Sequence, residues 1–437
     1  MSIYLIVLSG LILGLGAVPF FRPRSIFDYP FVVGMFLSVW FLPQAWNVER
    51  LGLAGAFDPT LAWRYIILCI VFLVGGYLLG RGMNLQQAKT NQAEISAMYS
   101  EKRMSQASAG LIAVGAVAYF MMSRLAATDE YGAGWNGIII VYATLAQCLV
   151  FGAALTFLIY LRTKDKFSLV LFFIATAVFA PVLFVSIKRE FIFEFCVIVF
   201  GSLFLVRNIV PSRLILIAGC VIGAFIVNNA GDIRGYVKEN DATLVGALTD
   251  SDLITQSTTS ARDRSAEPAA PEVSGAVTDI AIASEIGDYY PFTSIINGMV
   301  SRYFPSFIFG RDAKNALMMK NRDENPLLNR YYANGATRTG FSDTFQDFWY
   351  FGVFAFMALG FFYGWTLNLA KIGGLRGQYL YVSMLGTGLH AITHSFAEFA
   401  AALPFLWLVV WLPFRYARIT PEESKRLMLA LHLQGRS

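Results

Sequence analysis

Residues 168–206 read SLVLFFIATAVFAPVLFVSIKREFIFEFCVIVFGSLFLV, two apolar runs on either side of one charged turn, Lys188-Arg189-Glu190. Each run is close to the length a helix needs to cross a bilayer core, and each is apolar on every face. A soluble helix would keep a polar stripe, and a transmembrane barrel would alternate in short segments. Backbone in lipid satisfies its own polar groups only as helices or closed barrels, so the stretch predicts a transmembrane helix pair.

The same pattern recurs outward from this pair. Candidate spans fall at 3–21, 29–46, 63–80, 107–125, 137–160, 168–186, 190–206, 213–229, 348–370, 379–396 and 400–414. They predict an all-α integral membrane protein, a polytopic bundle of about eleven transmembrane helices. Composition agrees: with 56% hydrophobic and only 14% charged residues, the 437-residue chain is not a string of soluble domains. A net charge of +5 would suit nucleic acid, but Lys and Arg stand at the ends of apolar runs, so no nucleic-acid partner is expected. Cys69, Cys148, Cys196 and Cys220 lie inside apolar runs and read as small buried hydrophobes, without a disulfide framework or thiolate metal site. The first run has neither a basic leader nor a small-residue cleavage site, and is expected to be a retained helix.

Alternate connections carry unequal positive charge. One set holds Arg22, Arg24, Arg81, Lys89, Lys102, Arg103, Arg162, Lys164, Lys166, Arg207, Arg213, Lys371, Arg376 and the tail from Arg415. The short connections of the other set hold Arg50, Arg64, Arg124, Lys188 and Arg189. The positive-inside rule makes the first set cytoplasmic, with the N-terminus outside and the C-terminus inside. The chain then divides into N-terminal helices over 1–229, a long external loop over 230–347, C-terminal helices over 348–414, and a cytoplasmic tail over 415–437. Within the loop, 256–278 is rich in Ser, Thr, Ala, Pro and acidic residues and is expected to be mobile, with no core of its own. The aromatic stretch YYPFTSIINGMVSRYFPSFIFG, from Tyr289, is expected to lie on the membrane surface as an amphipathic element.

Ionisable residues at or in the membrane are costly and mark candidate sites. Lys188 and Arg189 stand on the side where cations are disfavoured, and suit an anionic headgroup as well as simple interfacial snorkelling. Arg234, in NNAGDIRGY, offers a planar fork to phosphate or an ion pair to Asp232. In NGATRTGFSDTFQDFWYFG, Arg338 stands beside the hydroxyls of Thr337 and Thr339 and the permissive Gly335 and Gly340. A cation beside backbone donors at a helix start is an anion site, although capping by Ser342 or Asp343 accounts for part of the pattern. In GTGLHAITHSFAEF, the spacing of His390, His394 and Glu398 predicts one stripe along a single helix. That stripe is too long for three ligands to meet on one metal, leaving a buried histidine pair or a proton-transfer group. No GxGxxG or Walker element is present, so no nucleotide cofactor is expected.

Taken in order, the KRE turn at Lys188, the arginine after the next span, RYFPSFIFG, TRTGFSDTFQDFWYFG and the polar penultimate span resemble the Wzy-type polymerases of O-antigen and exopolysaccharide synthesis. These are glycosyltransferases of the bacterial inner membrane. The resemblance implies a GT-C-like bundle that moves a growing glycan from undecaprenyl pyrophosphate to a lipid-linked repeat unit at the periplasmic face. It implies no cofactor, and as partners the lipid-linked oligosaccharide, membrane lipids and a polysaccharide chain-length regulator. Carried over by position, Lys188, Arg189, Arg234 and Arg338 would hold the pyrophosphate, with Arg338 also stabilising charge on departure. Arg302, Thr337, Thr339 and His390 would touch substrate. His394 or Glu398 would take the proton, at a place where the family often has arginine. An O-antigen ligase shares this architecture. A transporter or flippase would instead show repeated halves and a midplane site, and a membrane sensor or scaffold would need no arginines at the membrane edge.

Overall fold

The computed structural model describes residues 2–51, 58–83, 99–126, 138–184, 189–219, 272–286, 291–319, 339–372, 374–420 and 422–423. Among these residues the chain is helical, and its one β-type pairing is an isolated bridge between Tyr99 and Arg418. Among the described residues seven helices are long and apolar enough to cross a membrane, which makes this a multi-pass membrane protein.

In chain order the first five helices are α1 (Ile3–Phe21), α2 (Tyr29–Leu51), α3 (Thr60–Gly82), α4 (Glu101–Ala126) and α5 (Ile138–Thr163). Next come α6 (Lys166–Phe184), α7 (Arg189–Cys196) and α8 (Ser202–Arg207). The expected sixth span is helical over Lys166–Phe184. The expected seventh is α7 and α8 joined by a π-helical turn at Val197–Gly201, where the backbone widens to i→i+5 bonding. The expected eighth is helical over 213–219 and then leaves the described residues.

The loop contributes α9 (Glu272–Ile286), α10 (Thr293–Tyr303), α11 (Ser306–Phe309) and α12 (Arg311–Leu317). A mobile 256–278 therefore needs correction at its C-terminal end. Residues 272–278 begin α9, where Ala276 and Val277 are fully buried against the bundle because the AVTDIAIA run carries enough small apolar surface to pack. The rest of that stretch lies outside the described residues.

The final helices are α13 (Gly340–Phe348), α14 (Val353–Lys371), α15 (Leu375–Thr393) and α16 (Phe396–Ala417). The ninth apolar stretch thus starts earlier than 348 and is broken. α13 ends at Trp349, whose φ of 53° turns the chain through a 3-10 helix, Trp349–Gly352, into α14. α15, the expected tenth span, turns Gln378, Tyr379, Tyr381 and Ser383 into the protein and is less apolar than its neighbours for that reason.

Helices in lipid gain little from mutual burial, so close contact relies on small residues. The α3–α14 seam shows this: Gly76 and Gly80 of α3 interlock with Gly360 and Gly364 of α14. A Cβ at any of the four would meet a carbonyl oxygen of the facing helix, from Met357, Phe361, Leu73 and Tyr77 respectively.

Polar side chains lace both ends of the bundle. At one end Lys371 pairs with Asp28 (3.3 Å), Arg81 donates to Asn368 (2.7 Å), Arg162 donates to Gln378 (3.1 Å) and Arg103 pairs with Glu423 (2.9 Å). At the other end Trp63 donates to Glu49 (3.4 Å) and the Arg64 guanidinium lies 4.3 Å from the Tyr4 ring centre. Tyr65 and Thr344 share a 2.9 Å hydrogen bond there, which ties α3 to α13.

Candidate functional site

α13 is the element from which the site is built, because it buries polar side chains that hydrocarbon would not tolerate unpaired. Thr339, Ser342, Asp343, Thr344, Gln346 and Asp347 are all buried. Thr339 caps the helix: its hydroxyl accepts from the Ser342 amide (3.4 Å), and the Ser342 hydroxyl accepts from the Thr339 amide (3.2 Å). The cap is therefore Thr339, not Ser342 or Asp343, and Thr339 is fully buried in that duty. Gly340 lies directly against the Ala391 carbonyl, where any Cβ would collide, so α13 sits on the end of α15. Phe341 stacks on Phe356 with ring centres 5.1 Å apart.

The two carboxylates of α13 hold different neighbours. α10 begins after Phe292, which has a φ of 63° and no side chain able to cap. Asp347 does the capping from outside, accepting from the Ser294 amide (3.1 Å) and hydroxyl (2.7 Å). Asp343 accepts a short bond from the Ser395 hydroxyl, and Ser395 in turn caps α16 by accepting from the Glu398 amide (3.1 Å).

Ser395 also changes the geometry expected for the histidines. The chain leaves the helix at His394, Ser395 is extended (φ −152°, ψ 120°), and α16 starts at Phe396. His390, His394 and Glu398 thus belong to two helices and a corner, not to one stripe. The sequence carried the signal, since Ser395 and Glu398 form the S-x-x-E pattern of a helix start.

The corner still gathers them. A cavity of about 410 Å³ lies between α10, α13, α15 and α16, lined among others by Asp343, His390, His394, Ser395 and Glu398. The two imidazoles stack, 4.3 Å between centres and 15° between planes. The Thr393 hydroxyl lies 2.9 Å from His394 Nδ1 and 3.2 Å from the Leu389 carbonyl. From α10, Arg302 reaches Glu398 at 2.9 Å.

α10 does not lie loose on the membrane surface. It runs along the first half of α16, with Gly298 against Ala401 and Ala397. Tyr303 donates to the Ala401 carbonyl (2.9 Å) and accepts from the Phe405 amide (3.2 Å), two groups that a helix ordinarily pairs with each other. This exchange sits beside Pro404, which has no amide hydrogen to give to the ladder. The sequence reading placed α10 at the interface because its aromatic residues match either location; Phe304, Phe307, Ile308 and Phe309, beyond its end, are exposed.

Of the expected site residues, the structure brings Arg302, His390, His394 and Glu398 together, and places Thr339 beneath them as a cap. Arg189 opens α7, but its side chain lies outside the described residues. So do Lys188, Arg234, Thr337 and Arg338 as whole residues. Asp343, Asp347, Ser294, Asn297 and Ser395 line or support the site without having been singled out as functional. Among the described residues, no three His, Cys, Asp or Glu side chains gather as metal ligands. No protein family, characterised protein or solved structure matches this chain.

Proposed function

We propose that the chain is a membrane glycosyltransferase of the Wzy polymerase type, with a GT-C-like bundle, acting on undecaprenyl-pyrophosphate-linked repeat units. The observation that carries this reading is the polar cavity at one end of an apolar bundle, where the stacked imidazoles of His390 and His394, two carboxylates and a guanidinium converge. In the reaction an acceptor sugar hydroxyl attacks the anomeric carbon of the donor. The C–O bond to the pyrophosphate breaks, the lipid pyrophosphate leaves with the electron pair, and the hydroxyl proton passes to a base.

His394 suits that base better than Glu398, whose carboxylate is already engaged by Arg302 at 2.9 Å. Cations stabilise the departing diphosphate. Arg302 is positioned for that among the described residues, and Lys188, Arg189, Arg234 and Arg338 keep the role given them by the resemblance. On this reading the cavity end faces the periplasm, the Arg- and Lys-rich end faces the cytoplasm of a bacterial inner membrane, and a chain-length regulator is the expected partner.

The test is His394→Ala expressed in cells lacking their own copy of the gene, with cell-surface glycan separated by length. Loss of a general base lowers turnover by about 10²–10⁴-fold, enough to leave single repeat units in place of a ladder. A normal ladder from a His394→Ala, Glu398→Gln double variant sinks the proposal.

A further inference from the structure

α10, α11 and α12 form a hairpin beside α16. Its open end is closed by Asn297, whose side chain donates to the Met319 carbonyl (3.2 Å) and accepts from the Met319 amide (2.9 Å). From that clamp α10 descends along α16. Gly298 packs against Ala397 and Ala401, and five residues later the Tyr303 hydroxyl bonds to the Ala401 carbonyl and the Phe405 amide.

The depth of that contact follows from α16. Between Glu398 and Arg415 this span carries no charged residue. Ala401 and Phe405 stand three and seven positions past Glu398, about 5 and 10 Å along the helix axis, which carries them beyond the last charge and into the apolar part of the span.

The tip that follows Tyr303 is apolar and uncovered. Phe304, Phe307, Ile308 and Phe309 are 38%, 54%, 64% and 50% exposed, and the Phe304 and Phe309 rings meet at 5.4 Å. The backbone there asks little of water. The Phe304 amide bonds to Val300, those of Ile308 and Phe309 to Pro305, and that of Gly310 to Ser306, while Pro305 has no amide hydrogen to satisfy. Gly310, with a φ of 84°, then turns the chain into α12, which returns to the clamp. Arg311 and Asp312 follow at once and limit the insertion, since their charged ends have to reach the headgroups.

We propose that Phe304, Phe307, Ile308 and Phe309 form a wedge that enters the acyl chains of the leaflet at the cavity end, roughly 5–10 Å below the headgroups. Water is a poor match for so much adjoining apolar surface, and the contact with α16 holds it at the level where lipid begins. Ser294, Gly298 and Ser301, on the descending arm of the same hairpin, line the cavity, so the wedge anchors a cavity wall to the bilayer. None of this depends on the transfer reaction proposed above.

The experiment uses the full chain without its native cysteines in phosphatidylcholine nanodiscs. A spin label is placed on a single cysteine at Phe307 or at Ile308, and relaxation by oxygen, which concentrates in hydrocarbon, is compared with relaxation by a water-soluble nickel chelate. Trp407, 63% exposed within α16, is the lipid reference, and Asp58, before α3, is the water reference. Both tip labels are expected to favour oxygen, as at Trp407. Adding Ile308→Asp should shift the label at Phe307 towards the chelate, and Ile308→Val should not. A tip label that favours the chelate, as at Asp58, places the tip in water and overturns the proposal. Shielding from both relaxants overturns it too, because the tip then lies against protein, such as a second copy of the chain. An Ile308→Asp variant that leaves the Phe307 label unmoved removes the apolar wedge as the cause of insertion.

Discussion

The two members of the Arg302–Glu398 pair live in different surroundings: the guanidinium side chain is 13% exposed and the carboxylate 53%. Their removal should therefore be unequal. Glu398→Ala strands a buried cation, and a buried charge left without its partner costs several kcal/mol. Arg302→Met keeps the packed stem and leaves a carboxylate that water can solvate, which costs about 1 kcal/mol or less. Thermal unfolding of the two variants in the same detergent should rank Glu398→Ala well below Arg302→Met; the reverse order would mean that the stem of Arg302, not its charge, carries the contact.

At the level of elements, α10 depends on α13 for its start. Its own first residues cannot cap, and Asp347 replaces the missing group with bonds to both the amide and the hydroxyl of Ser294. Asp347→Ala is expected to destabilise the protein by about 1–2 kcal/mol. Hydrogen exchange should speed up first over 293–303, and uniform acceleration across the bundle would count against a local cap. This dependence shows what was legible in the sequence and what was not. Apolar runs carry their own evidence, because length and hydropathy decide whether a segment can lie in lipid, and α1 to α5, α14 and α16 were readable on that ground. The clustering of Arg302 with the histidine corner was not readable, since it depends on how a loop helix packs along α16. α13 was hidden for a related reason. Its Asp, Gln, Ser and Thr residues look like surface sequence, and only partners from α3, α10 and α16 make them interior. The break at His394 stood in plain view as Ser395 and Glu398, but a regular four-residue spacing of charged groups suggested an unbroken helix.

For the whole molecule, the pairing of helix ends fixes which termini share a side. Asp58, before α3, belongs with Glu398 at the cavity end, whereas Arg24 and Arg376 belong to the opposite end with Lys371 and Asp28. In a background without the four native cysteines, single cysteines at Asp58 and Glu398 should react with an impermeant thiol reagent added to intact cells. Cysteines at Arg24 and Arg376 should react only after the membrane is opened. Any mixing of the two pairs would rule out the parity of crossings described above, whatever the activity. The bond exchange between Tyr303 and α16 has a mechanical meaning at this scale. A rod that has given one of its rungs to a neighbour cannot slide past that neighbour without breaking its own ladder, so α10 and the cavity half of α16 must travel as one piece.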